Sequence, residues 1–183
     1  GTIINASDSV QADLLVEAND ALIGRNLPAE GHETIDATGK LLLPGGIDVH
    51  THLSLPFGGT LSSDDFFSGQ RASASGGTTS HMDFAIQPKG GSLKEGVDTW
   101  HKKAEGKTCI DYGFHLITTE FEDGDEKEMY KLMDEGITSF KLFMAYPGVF
   151  LADDATIFRA MSAAGKRGGL ICMHAENGIV INE

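Results

Sequence analysis

From Pro44 onward, apolar residues fall in short runs that read as strands: GIDVHTHL (46–53), TSHMDFAI (79–86), YGFHLIT (112–118), ITSFKLFMA (137–145) and GLICMHA (169–175). Between them the period lengthens. DDFFSGQRASAS, SLKEGVDTWHKKAEG, DEKEMYKLMDEG and DDATIFRAMSAAGKRG read as helices, and Met129, Leu132 and Met133 fall at i, i+3, i+4 as a core-facing stripe. Gly136 and Gly165 stand where helix C-caps are expected. Strand and helix in repeated alternation predict an α/β domain with a parallel sheet and right-handed crossovers, either part of a barrel or an open doubly wound sheet. Before Pro44 the pieces are short and alternate with period two (TIIN, ADLLVEA, DALIG, TIDA, KLLL), separated by turn formers such as NASDS and ATGK. Residues 1–43 thus predict a small β unit and residues 44–183 a separate βα domain.

Two histidines one residue apart, His50 and His52, close the first strand-like run after Pro44. Alternation puts them on one face, about 6–7 Å apart along the chain, close enough to share a metal ion. Taken alone, the pair reads equally as a metal site or as two structural histidines. Its place at a strand C-terminus, where parallel α/β folds build their sites, favours the first reading. Lys141 lies inside the apolar run ITSFKLFMA. A buried ammonium must be paired, neutral or chemically altered. One reading is an ion pair with a carboxylate on a neighbouring strand. The other is carboxylation to a carbamate that bridges two cations. His174 ends a further strand-like run.

Composition narrows the partners. The net charge of −13 repels phosphate backbones and argues against nucleic acid. No apolar run is long enough to span a membrane. Cys109 and Cys172 form no C-x-x-C pair, so both read as small buried hydrophobes in a reducing cytoplasm.

The segments GGIDVHTHL, PFGGT, GGTTSHMDFAIQP, GITSFKLFMAYPG and MHAENG together resemble the hydantoinase/dihydropyrimidinase family of the cyclic amidohydrolases. Allantoinases and dihydroorotases share the H-x-H, and the family has non-catalytic relatives that serve in binding or assembly. The retained His50, His52, Lys141 and His174 argue for the catalytic branch. The resemblance implies a (β/α)8 barrel, of which residues 44–183 supply the first five strand–helix units, preceded by part of a small β-sandwich in residues 1–43. It implies two divalent ions, zinc by preference, held by His50, His52, a carboxylated Lys141 and His174. Tyr146 would donate to the developing oxyanion, and Leu55, Phe57, Phe143 and Phe150 would contact the substrate. A hydroxide held between the ions would open the ring amide of a cyclic ureide or imide, giving an N-carbamoyl amino acid. A further metal-binding histidine and the catalytic aspartate are expected beyond Glu183. The 183 residues are therefore expected to be part of a longer, homotetrameric enzyme and inactive alone.

Weaker candidates complete the reading. Asp48, two before His50, is expected on the same face, and reads equally as a group orienting a ligand or as one that caps the barrel floor. His81 and Asp83 could line the pocket, with His81 more simply supporting or structural. His115 belongs to no recognised motif, His32 and His101 read as surface residues, and Asn177 as a turn residue.

Overall fold

Turn-forming residues break the first 45 residues into short strands. In the computed structural model, which describes residues 1–18, 20–181 and 183, the chain divides into two units, Gly1–Gly45 and Gly46–Glu183. The first contains β1 (Thr2–Ile4), β2 (Ser9–Gln11), β3 (Asp13–Glu17), β4 (Asp20–Gly24) and β5 (Leu41–Leu42). β1 is central, antiparallel to β2 and parallel to β5, while β3 and β4 pair antiparallel with Leu15 opposite Leu22. The run TIDA, expected as a strand, is not one. Ser9–Gln11, which begins at the last residue of the turn-forming NASDS and lies outside the strand-like runs, is a strand paired with β1.

The second unit follows the predicted alternation. Its elements are β6 (Gly46–Thr51), β7 (Pro56–Phe57), β8 (Thr60–Leu61), α1 (Phe66–Ser75), β9 (Thr78–Ile86), α2 (Leu93–Ala104), β10 (Asp111–Ile117), α3 (Asp125–Asp134), β11 (Ser139–Phe143), α4 (Asp154–Lys166), β12 (Leu170–His174) and α5 (Gly178–Ile181). Five strands form one parallel sheet in the order β12-β11-β10-β9-β6. Chain order equals spatial order, so each strand lies beside its predecessor across one helical crossover, as part of a (β/α) barrel requires.

Local chemistry sets the helix ends. Asp65 caps α1 and forms a reciprocal box with Ser68, and Ser92 and Asp153 accept the N–H groups of Glu95 and Thr156 at the starts of α2 and α4. Gly136 follows α3 with φ +100°, as its expected capping role demands. Gly165 does not end α4. The helix continues to Lys166, and the left-handed residue is Gly168, φ +72°.

The core lies between the helices and one face of the sheet. Phe114, Leu116, Phe140 and Leu142 from the strands meet Phe66, Leu93, Trp100, Met129, Leu132 and Ala160 from the helices, all buried. Each large side chain so buried contributes about 1.5–3 kcal/mol. The expected α3 stripe is there, with Met129 and Leu132 buried and Met133 packed beside them. Because side chains alternate, the other sheet face is left to Phe84, His115, Lys141 and Phe143. Neither cysteine is fully buried. Cys109 is exposed and Cys172 half-buried. Cys109 sits in the α2–β10 connection, where its N–H rather than its thiol is held, by Gln70 Oε1 at 2.6 Å. No helix among the described residues is long and apolar enough to cross a membrane.

Candidate functional site

The end of β6 is irregular. Asp48 registers with His81 and Thr51 with Asp83, so three steps on β6 oppose two on β9. This bulge inserts one residue at Val49–His50 and re-aims the side chains C-terminal to it. It also corrects one expectation: the extra residue puts Asp48 in register with His81 and out of phase with His50. Asp48 acts instead on the backbone, its Oδ1 accepting the His50 N–H at 3.1 Å.

Beyond the bulge the two imidazoles converge. His50 Nε2 lies 3.2 Å from His52 Nε2, with the rings edge to face. Two nitrogens each 2.0–2.1 Å from one cation, at roughly a tetrahedral angle, stand about 3.2–3.4 Å apart. The pair therefore fits a shared divalent ion. Burial, chiefly, holds His52 below the usual imidazole range, with His50 and Lys141 adding to the effect and Asp83 opposing it. The neutral ring so favoured is the form that binds metal.

Lys141 reaches the same place from β11. Its Nζ lies 5.9 Å from the centre of the Phe84 ring, which itself lies 4.6 Å from His50 and 5.0 Å from His52. The residue is half-buried, flanked on its strand by buried Phe140 and Leu142. No carboxylate pairs with it among the described residues. The ion-pair reading thus finds no support there, and the lysine stands close to the histidine pair. No cluster of three or more His, Cys, Asp or Glu converges among the described residues. The donor set present is the histidine pair plus this lysine.

His174 closes β12 beside Phe143, its partner in register, with the rings stacked at 5.2 Å. Phe143 also carries Lys141 Nζ at 5.2 Å, so the lysine stands between the two histidine-bearing ends of the sheet. His174 Nε2 contacts Glu176 Oε2 at 2.6 Å. Around it gather Tyr146, 5.2 Å from His174 and 5.9 Å from Phe143, and Phe150, stacked on Phe143 at 5.0 Å and on Phe57 at 6.0 Å. Tyr146 has φ +63°, a left-handed conformation that costs a non-glycine residue about 1–3 kcal/mol. Its carbonyl accepts the N–H groups of Val149, Phe150 and Leu151, which holds the turn. Phe57 and Phe150 border an open pocket of about 740 Å³ together with the β7–β8 hairpin. That hairpin lies in the connection between β6 and α1. Gly58 and Gly59, φ +60° and +79°, supply its two-residue turn. Leu55 packs against the hydrophobic core.

His81 and Asp83 do not face the site. Their register partners and contacts place them on the helix side of the sheet, both fully buried. Asp83 accepts Thr51 Oγ1–H at 2.9 Å, Leu53 N–H at 2.8 Å and Trp100 Nε1–H at 2.9 Å. Gln70 spends its Oε1 on two backbone N–H groups, so its amide nitrogen donates to His81 Nε2 at 2.8 Å. His81 Nδ1–H then donates to Thr51 Oγ1 at 2.9 Å. Burial, which outweighs the opposing carboxylates of Asp83 and Asp48, holds His81 below the usual imidazole range and keeps this neutral tautomer. Lys103 Nζ, 3.6 Å from the Trp100 ring centre, donates to the Ser54 carbonyl at 2.9 Å. Thr51, Leu53 and Ser54, around His52, are thus all anchored from behind.

Other residues fall as expected or add to the site. His32 and His101 are exposed, and Asn177 accepts the Val180 N–H at the start of α5. Phe84 was missed by sequence reading. It is one apolar residue in an apolar run, and only its pairing with His115 marks its face.

Residues 41–183 match the Amidohydrolase family. The whole chain is 54% identical to a D-hydantoinase of Streptomyces coelicolor and 43% identical to a dihydropyrimidinase of Rattus norvegicus, spanning 40% and 37% of those proteins. Among solved structures it is similar to a dihydropyrimidinase from Brevibacillus agri, with a TM-score of 0.95 and 51% identity over 100% of this chain and 40% of that one. It is also similar to an L-hydantoinase from Arthrobacter aurescens, with a TM-score of 0.79 and 25% identity over 98% of this chain and 40% of that one.

Proposed function

The chain belongs to the Amidohydrolase family, and from that premise we propose that it is part of a metal-dependent cyclic amidohydrolase opening the ring amide of hydantoins and dihydropyrimidines to N-carbamoyl amino acids. The observation that carries the reading is the 3.2 Å approach of His50 Nε2 to His52 Nε2, which suits one divalent ion. The names of the D-hydantoinase and dihydropyrimidinase relatives support the substrate class. Because the chain spans about 40% of those relatives' length, the activity belongs to the whole protein.

In this reading His50, His52, a carboxylated Lys141 and His174 would hold the two ions. Two divalent ions, zinc by preference, supply Lewis acidity and a water that is nucleophilic at neutral pH. The chain's own residues do the rest. Tyr146 donates its phenolic proton to the oxygen on which charge develops, and its turn keeps that donor in place before substrate arrives. Phe57, Phe143 and Phe150 shed water from the pocket and contact the ring substituent, with Leu55 behind them. A further metal-binding histidine and a proton-transferring aspartate come from outside residues 1–183. Assembly as a homotetramer and a cytoplasmic location rest on the family resemblance.

Metal analysis of the intact protein, paired with an assay on hydantoin and dihydrouracil, tests this. About two ions per chain with chelator-sensitive turnover is the expected result. A protein that binds these rings without opening them and holds no metal is a non-catalytic binding relative, and the reading fails.

A further inference from the structure

His115 lies on the site face of the sheet, buried, and no step of the proposed chemistry uses it. Its two ring nitrogens reach two different strands. Nε2 is 2.9 Å from the Val49 carbonyl of β6, and Nδ1 meets Ser139 Oγ of β11. A carbonyl can only accept, so Nε2 carries the proton. In the neutral ring Nδ1 therefore accepts from the Ser139 hydroxyl. The Val49 carbonyl is available because the bulge at Val49–His50 takes it out of regular register with β9. The ring's own position is fixed by Phe84, 4.7 Å away at 34°.

The two ends of this bridge are placed to matter. Val49 precedes His50 directly, and Ser139 is two residues before Lys141 on the same face. In the sheet, β6 and β11 are not neighbours, since β9 and β10 lie between them. Hydrogen bonds along the sheet fix the separation of the histidine pair from the lysine only through two intervening strands. His115 fixes it in one step.

We propose that His115 is a positioning residue, a strut from Ser139 to Val49 that sets the spacing between the His50–His52 pair and Lys141. It rests on the metal reading above. The strut holds the bulge at Val49–His50, and it holds two strands that, on the metal reading, present donors to one site. Outer partners of this kind are typically worth about 10–100-fold in metal affinity.

The test uses the intact protein and two substitutions that separate the donor from the ring. His115→Phe keeps the stack on Phe84 and loses the proton donor. His115→Gln loses the stack and keeps an N–H near the Nε2 position. Metal affinity is measured by chelator competition, and the visible bands of the cobalt(II)-loaded protein report ligand geometry. H115F is expected to bind metal about 10–100-fold more weakly with shifted cobalt bands, and H115Q to stay within about 3-fold of wild type. H115F at wild-type affinity with unshifted bands overturns the strut, and so does equal loss in both variants, which makes ring packing the cause. Should H115F not fold, Ser139→Ala decides. It is expected to weaken metal binding by about 3–10-fold through loss of tautomer control, and unchanged binding overturns the proposal. A wild-type protein that binds no divalent ion is a different failure, that of the metal reading itself.

Discussion

Lys141 occupies a position where an ordinary ammonium is poorly served: half-buried, facing aromatic rings, with no carboxylate paired to it among the described residues and the histidine pair nearby. On the proposed function, replacing it by Ala is expected to leave the intact protein with less than half its metal and to lower kcat by about 10³-fold or more, because a proposed metal ligand is lost. Elemental analysis and initial rates on dihydrouracil check both. On the opposite face, the Asp83 carboxylate accepts three donors. Asp83→Asn turns one of those contacts into a donor–donor clash and is expected to cost about 3–5 kcal/mol by denaturant unfolding. His81 adds a pH effect of definite sign. Its folded-state pKa is depressed from 6.5 by burial, so below about pH 6.5 the unfolded chain takes up a proton that the folded one resists. Stability is full above that value and is lost as pH falls through the folded pKa. His81→Gln is expected to flatten this acid limb in pH-dependent melting. At this scale the sequence was informative for groups with unusual chemistry: His50, His52, Lys141 and His174 announce themselves in apolar runs. It was silent on Phe84, whose role depends on which face it takes, and misleading on Asp48, whose phase is changed by one inserted residue.

Elements were legible where the pattern is long. The four longer helices and the five strands of the parallel sheet lie within a few residues of their predicted bounds, because each supplies a periodic apolar face to one core. Short devices were not. The strands of the β7–β8 hairpin are two residues each, too short to alternate, and a bulge leaves no trace in composition. Both lie at the site, where regularity yields to aiming. α2 shows how closely an element can be fitted. A Cβ on Gly96 would come 2.6 Å from the Ile86 carbonyl oxygen and 2.8 Å from its carbonyl carbon. Gly96→Ala must push α2 off β9, and with it the Trp100 and Lys103 contacts behind His52. A loss of about 1–3 kcal/mol in unfolding free energy is expected, with weaker metal retention in the same variant. A gain in stability would show that α2 is free to shift.

For the molecule as a whole, metal and fold are linked. Ions that bind only the folded state add RT ln(1 + [L]/Kd), about 4 kcal/mol at a thousandfold excess over Kd. Chelator treatment of the intact protein is expected to lower its Tm, with recovery on adding zinc, and an unchanged Tm would mean the site is not coupled to folding. The sheet's strand order has a kinetic side as well. Every strand pairs with the one synthesised just before it, so each step closes a loop no longer than one crossover and its entropic penalty stays small. A nascent chain can therefore lay the sheet down from β6 outward as it leaves the ribosome. The histidine pair stands at the end of the sheet's oldest strand and the lysine on the fourth to emerge, so on the proposed reading the imidazoles wait in place while their partner donors are still being translated.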